Sequence, residues 1–91
     1  MKVEITANNF DLTEAISTLI RNKAKKLSHH NRLITDAHFF LSVNKIEHLV
    51  KIMLSIPHRE ALCVHAKTHD MYESIDKAIH SMINMLEKQH R

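Results

Sequence analysis

The side chains best suited to chemistry in this chain are basic, and they are concentrated in one short segment. Residues 21–32, RNKAKKLSHHNR, contain five Lys or Arg and no acidic side chain, whereas the rest of the chain contains eight basic and ten acidic ones. A solvated helix face usually mixes both signs, because like charges close together repel one another. The unmixed segment therefore predicts either a disordered tail or a docking surface for an anionic partner.

The histidines and the cysteine do not form a regular site. The chain has nine His and one Cys, and Cys63, His65 and His69 lie closest together in a way that could suggest a metal. They lack the paired spacing of structural zinc sites. No paired carboxylates indicate acid–base catalysis, and a lone Cys in an apolar strand is typical of an inert core thiol. We therefore expect no catalytic residue, no metal and no cofactor.

Composition narrows the class of protein further. A chain of 91 residues makes one domain, 1–91, and its 44% hydrophobic and 25% charged residues are ordinary for a soluble globular protein. Gly is absent, which excludes the glycine-rich phosphate loops of nucleotide-binding enzymes. The single Cys fits a reducing compartment, and no segment resembles a secretory signal or a membrane span. These features predict a cytoplasmic protein without a membrane partner.

Hydrophobic periodicity predicts six elements that must position these charges. Alternation of apolar and polar residues indicates four strands, at residues 2–7, 37–43, 48–56 and 61–67. Spacings of three and four indicate a helix over 12–27, whose start is marked by Asp11 and Glu14, and a second helix that starts at Asp70 and Glu73. The turns are expected at Asn44-Lys45 and at Pro57-His58-Arg59. The order predicts an α+β two-layer sandwich, a four-stranded sheet with both helices on one face.

The basic residues of the first predicted helix point in two directions. At about 100° per residue, Lys23 falls near the middle of the apolar stripe and Lys26 at its edge, while Arg21 and Lys25 point almost the other way. Either the aliphatic stems of the two lysines cover apolar surface while their ammonium groups reach water, or the helix extends beyond the sheet and presents them to a polyanion. The second predicted helix has a polar stripe that could form the other wall of a groove: Lys77, Ser81, Asn84 and Lys88. Arg32 and Arg59 could contribute from loops.

Three segments carry a resemblance to a known family. They are VEITANNFDLTEAI at the start, the lysines of NKAKKL, and HDMYESIDKAIHSMINMLEKQ, in which Asp70-Met71-Tyr72 and Ile75-Asp76 are the most specific. The chain resembles the ribosome hibernation promoting factor family, also called the protein Y or sigma-factor modulation family. The resemblance implies a βαβββα fold similar to a double-stranded-RNA-binding domain. It also implies binding to the small ribosomal subunit in the mRNA and tRNA channel near the decoding centre, which represses translation in stationary phase or stress.

The resemblance also implies site residues. Lys23 and Lys26 match lysines that the family uses on its first helix, Lys67 matches a lysine of one branch, and Lys88 matches a basic position on the last helix. Ser81 and Asn84 depart from the family, which typically carries Lys and Arg there. The full set predicted to bind ribosomal RNA is Lys23, Lys26, Lys88, Arg21, Lys25, Arg32, Lys67 and Lys77.

Several alternatives stay open at the level of sequence. The chain resembles the short type without a C-terminal dimerisation domain, expected to be a monomer off the ribosome. Short members either cooperate with ribosome modulation factor in pairing ribosomes or, in the protein Y branch, oppose pairing; the basic, short end favours promotion. A stand-alone module for structured RNA and a module that binds an acidic protein are the other hypotheses.

Overall fold

The protein is a four-stranded sheet covered on one face by two helices. The computed structural model describes residues 1–89. Along the chain the elements are β1 (Lys2–Asn8), α1 (Glu14–His30), β2 (Asp36–Asn44), β3 (Glu47–Ser55), β4 (Leu62–Thr68) and α2 (Met71–Gln89). This order confirms the predicted α+β sandwich.

The strand pairing sets the direction of both helices. The sheet order is β1-β2-β3-β4, with β1 parallel to β2 and the other two pairs antiparallel. The strands β1, β2 and β4 therefore run in one direction, and each helix returns across the sheet after β1 or β4. The two helices consequently run parallel to each other, and their C-termini lie at the same end of the molecule.

The core is a single apolar layer between the sheet and the helices. Alternate strand residues, among them Phe39, Leu41 and Ile52, are fully buried, as are Leu27 of α1 and Leu86 of α2. Burying an aliphatic or aromatic side chain of this size contributes about 1.5–3 kcal/mol relative to leaving it exposed. The core therefore fixes the helices to the sheet and, through them, the positions of the charged residues.

The first helix starts and ends later than its sequence pattern predicted. Thr13, not Asp11, is the capping residue, since its hydroxyl oxygen accepts a hydrogen bond from the N–H of Ile16 at 3.2 Å. A Thr next to the first turn satisfies that donor directly, whereas Asp11 lies too far along the chain. The last helical residue is His30, and the N–H of Asn31 still bonds the Leu27 carbonyl. The helix thus carries the basic segment almost to its end.

Two local predictions are wrong for identifiable reasons. Lys45, not Asn44, takes the positive φ of the β2–β3 turn, at 59°, because Asn44 still pairs with Glu47 in the ladder. Cys63 is exposed rather than in the core, because it points to the sheet face that the helices leave uncovered.

The second helix begins as predicted. The Asp70 carboxylate accepts a hydrogen bond from the N–H of Glu73 at 3.3 Å. One turn further, the buried Ser74 hydroxyl donates to the His48 carbonyl at 2.7 Å, which ties the helix to the start of β3. Neither helix, over the range that the structure describes, is long and apolar enough to span a bilayer.

Candidate nucleic-acid interface

Most of the predicted basic residues lie towards the end of the molecule where both helices finish. Lys25 and Lys26 are in the last two turns of α1, Arg32 is in the loop that follows, and Lys88 is in the last turn of α2. Arg21 is one turn before Lys25. The parallel arrangement of the helices therefore brings residues more than 50 positions apart in sequence to one end of the helix layer.

Helix electrostatics explains part of this distribution. The C-terminus of a helix carries a partial negative charge, so a cation in the last turn stabilises it by about 0.3–1 kcal/mol. Lys88 in the last turn of α2 gains this stabilisation, whereas the last turn of α1 contains only His29 and His30. Arg21, Lys25, Lys26 and Arg32 lie outside the last turns, so helix electrostatics does not account for them.

Ion pairing divides the predicted residues into two sets. Among the residues that the structure describes, no carboxylate forms an ion pair with any member of a set of five cations, which we call the cationic end: Arg21, Lys25, Lys26, Arg32 and Lys88. Each of the five side chains is exposed. These groups keep their full charge available to a polyanion.

The other three predicted cations are already paired. Lys67 lies 3.3 Å from Glu47, and Lys77 lies 3.7 Å from Glu73 one turn earlier on α2. Lys67 also projects from the uncovered sheet face, on the opposite side of the molecule from the helices, since its neighbour Ala66 packs against the core. The structure therefore does not bring Lys67 together with the cationic end.

Lys23 is paired between the two helices. Its ammonium lies 2.8 Å from the Asp76 carboxylate, and its side chain is only 22% exposed. Seven residues later, His30 Nδ1 lies 3.9 Å from a carboxylate oxygen of Glu87. The side of α2 that faces α1 therefore carries acidic residues, and the cleft between the helices has mixed charge.

The polar stripe of α2 is consequently not the opposite wall of a cationic groove. Lys77 follows Asp76 by one residue, and Lys88 follows Glu87 by one residue. The polar stripe therefore lies about 100° round the helix from the two carboxylates that face α1. The residues concerned are Lys77, Ser81, Asn84 and Lys88, all exposed on the outer flank of the helix. The cationic surface thus comprises the end of the helix layer, the flank of α1 towards β1 and Lys26 at the mouth of the cleft, and the cleft itself is not a purely cationic trough.

On α1, Arg21 and Lys25 occupy the flank towards β1. With Met1, Val3 and Ser28 they line a shallow surface cleft. Arg59, which the sequence also suggested, lies in the β3–β4 turn at the same end of the molecule, where its N–H donates to the Ile56 carbonyl.

Sequence reasoning missed the two carboxylates that face α1. Asp76 and Glu87 are separated by eleven residues, the spacing of one helical stripe, and this stripe borders the apolar one. That pattern could have indicated an acidic flank, but only the tertiary structure shows which helix it meets.

The arrangement supports electrostatic binding. Within residues 1–89, no group of three or more His, Cys, Asp or Glu side chains is placed to hold a metal ion. Five exposed cations without a carboxylate partner among residues 1–89, four of them at one end and Arg21 one turn before Lys25, can neutralise phosphate groups spaced along a nucleic-acid backbone. The fold and the site together define the class of protein: an α+β sandwich whose cationic end is suited to binding a polyanion.

Comparison with known proteins identifies the family. The family model described as Sigma 54 modulation protein / S30EA ribosomal protein matches residues 3–91. The chain belongs to this family, which confirms the resemblance seen in the sequence.

Named relatives agree with this assignment. The ribosome hibernation promoting factor of Escherichia coli (strain K12) is 31% identical over 88 residues, covering 97% of this chain and 92% of that protein. The factor of the same name from Azotobacter vinelandii is 28% identical and covers 98% of this chain and 86% of that protein.

Solved structures show the same fold. A ribosomal subunit interface protein from Coxiella burnetii superposes with a TM-score of 0.92 at 22% identity, covering 99% of this chain and 98% of that one. The N-terminal domain of Thermus thermophilus protein Y gives a TM-score of 0.87, also at 22% identity, with both chains fully covered.

Proposed function

We propose that this protein is a ribosome hibernation factor that binds the small ribosomal subunit in the mRNA and tRNA channel near the decoding centre and represses translation. The observation that carries the proposal is the cationic end, five exposed cations without a carboxylate partner in the described chain. Family membership and the names of its relatives supply the ribosome as partner.

The mechanism requires only that the protein be positioned on the small subunit, and no covalent bond is made or broken. Contacts with the RNA backbone supply affinity and orientation, while the shape of folded RNA supplies specificity. A bound protein of this size, about 39 Å in its longest dimension, occupies space that tRNA and mRNA need. Occupancy alone then blocks initiation, and no catalytic residue is needed.

Electrostatic docking implies a steep dependence on salt. Each neutralised phosphate contributes a slope of about −0.7 to −0.9 to the logarithm of the binding constant against the logarithm of salt concentration. Five contacts therefore predict that raising salt from 50 to 200 mM weakens binding by roughly 100-fold or more.

The proposal extends to ribosome pairing. We place the protein in the cytoplasm as a monomer that, like the short members of the family, promotes pairing of ribosomes together with ribosome modulation factor. Sedimentation of ribosomes from starved cells, with and without the protein, measures this directly. More paired ribosomes with the protein support promotion, and fewer indicate the opposing, protein Y type of action.

The decisive experiment for the binding site is competition with initiator tRNA on isolated small subunits. The wild-type protein should exclude the tRNA in proportion to its own occupancy. Lys25→Glu with Lys26→Glu should lose this effect, whereas Lys45→Glu with Lys51→Glu, which changes the net charge equally away from the cationic end, should retain it.

Other outcomes point to other functions. Preference for isolated RNA duplex over small subunits would replace the proposal with a stand-alone RNA-binding module. Co-purification with ribosomes that survives RNase treatment would indicate a protein partner.

A further inference from the structure

The cleft between α1 and α2 contains a lysine whose ammonium group is paired with a carboxylate of the other helix. Lys23 is the most buried of the predicted RNA-binding lysines, at 22% exposure, and its ammonium lies 2.8 Å from Asp76. Along α1, Lys23 follows the buried Ile20 by one turn and precedes the buried Leu27 by one turn, so it borders the apolar face of the helix. The ammonium group is therefore confined to the mouth of the cleft.

Asp76 differs from Lys23 in its access to solvent. Its side chain is 53% exposed, so water and dissolved ions reach the carboxylate. A phosphate group that approached Lys23 would meet this negative charge first, and it would have to displace the carboxylate to bind the ammonium. An ion pair that is exposed on the carboxylate side contributes little to stability, so it can be broken at modest cost.

A second contact between a basic residue of α1 and a carboxylate of α2 lies nearer the C-termini of the two helices. His30 lies 3.9 Å from Glu87, which is 61% exposed. Both carboxylates come from α2 and both partners from α1. Of the cationic end, Lys26 follows Lys23 by three residues and lies on the same side of α1, exposed at the mouth of the cleft, whereas Arg21 and Lys25 lie on the flank towards β1.

We propose that Asp76 is a residue that sets the affinity and salt dependence of RNA binding, by holding Lys23 in an interhelix ion pair and excluding phosphate from the cleft. This inference rests on the proposed function for the identity of the polyanion. In the wild-type protein Lys23 positions the helices, and the cationic end contacts the phosphates.

Removing the carboxylate should convert Lys23 into a phosphate ligand. Asp76→Asn keeps the size of the side chain and frees the ammonium. One additional phosphate contact should steepen the salt slope by about 0.7–0.9. Release of an exposed ion pair should tighten binding roughly two- to fivefold at 100 mM salt.

Two controls separate the release of Lys23 from a general change in net charge. Glu47→Gln removes the same charge, but from a pair with Lys67 on the uncovered sheet face, away from the cationic end. Lys23→Gln should abolish the gain in the Asp76→Asn background, because the freed ammonium is the group that would contact the phosphate. A purely structural pair would give no change in salt slope in any variant, so the slope distinguishes the two roles.

The test measures binding of all variants to isolated small ribosomal subunits, and retention on heparin as a general polyanion, at 50–200 mM salt. The inference predicts that Asp76→Asn binds more tightly than Glu47→Gln to both small subunits and heparin, and that this gain depends on Lys23. It is overturned if the two variants behave alike, or if Lys23→Gln weakens wild-type binding as much as Lys26→Gln. If neither the wild-type protein nor any variant binds small subunits, the proposed function is refuted. Retention on heparin would then still show whether Asp76 keeps Lys23 from binding a polyanion.

Discussion

Neutralising Lys25 and Lys26 should change both the affinity of the protein for small subunits and its salt dependence. Both side chains are exposed and unpaired among the described residues, and both lie in the last two turns of α1. Lys25→Gln with Lys26→Gln removes two of the five cations of the cationic end without adding a repulsive charge. Gln is also a good helix former, so α1 should persist.

The expected magnitude follows from the number of contacts. Five phosphate contacts give a salt slope of about −3.5 to −4.5, and three give about −2.1 to −2.7. Between 50 and 200 mM salt, the wild-type protein should therefore lose roughly 100- to 500-fold in affinity and the variant only about 20- to 40-fold. At 50 mM salt the variant should already bind more weakly.

Fluorescence anisotropy with labelled protein and isolated small subunits at four salt concentrations measures both quantities. The matched control is Lys45→Gln with Lys51→Gln, which removes two cations from the β2–β3 turn and the uncovered sheet face. The reasoning is refuted if this control lowers the slope as much as the α1 variant, because binding would then depend on net charge and not on the cationic end.

Three further predictions concern individual contacts. Thr13→Ala should lower the free energy of unfolding by about 0.5–2 kcal/mol in urea titrations, and Asp11→Ala should have little effect; the reverse ranking would contradict the assignment of the helix cap. Ser74→Ala should cost about 1–3 kcal/mol because it leaves the part-buried His48 carbonyl without this donor. The exposed Ser81→Ala should stay within about 0.5 kcal/mol, and equal effects of the two variants on thermal unfolding would count against the Ser74 hydrogen bond. Ser81→Lys with Asn84→Arg should tighten small-subunit binding and steepen the salt slope by about 1.4–1.8, and unchanged binding would show that the outer flank of α2 lies away from RNA.

The fold was largely predictable because it depends on local periodicity. Alternation placed Phe39, Leu41 and Ile52 on one sheet face, and all three are buried. Asp70 marked the start of α2 because its side chain bonds a backbone N–H three residues away. Asp11 gave a false signal because a second capping residue, Thr13, lies closer to the apolar run, and sequence alone does not rank the two.

The candidate site was only partly predictable because it depends on contacts between helices. The charge asymmetry of residues 21–32 is visible in the sequence, and it points to the second half of α1 and the loop that follows. Whether Lys23 is available depends on Asp76, 53 positions later, and this contact is fixed by the parallel packing of the two helices. Similarly, Lys67 looks equivalent to other lysines until the sheet shows which face it occupies.

Directed hydroxyl-radical probing tests the central orientation most directly. The native Cys63 is exposed on the uncovered sheet face and accepts a tethered iron chelate there. His29→Cys in a Cys63→Ser background places the same chelate at the end of α1. In complexes with small subunits, cleavage of ribosomal RNA should be strong from position 29 and weak from position 63. Stronger cleavage from position 63 would show that the sheet face, and not the end of the helix layer, meets the RNA.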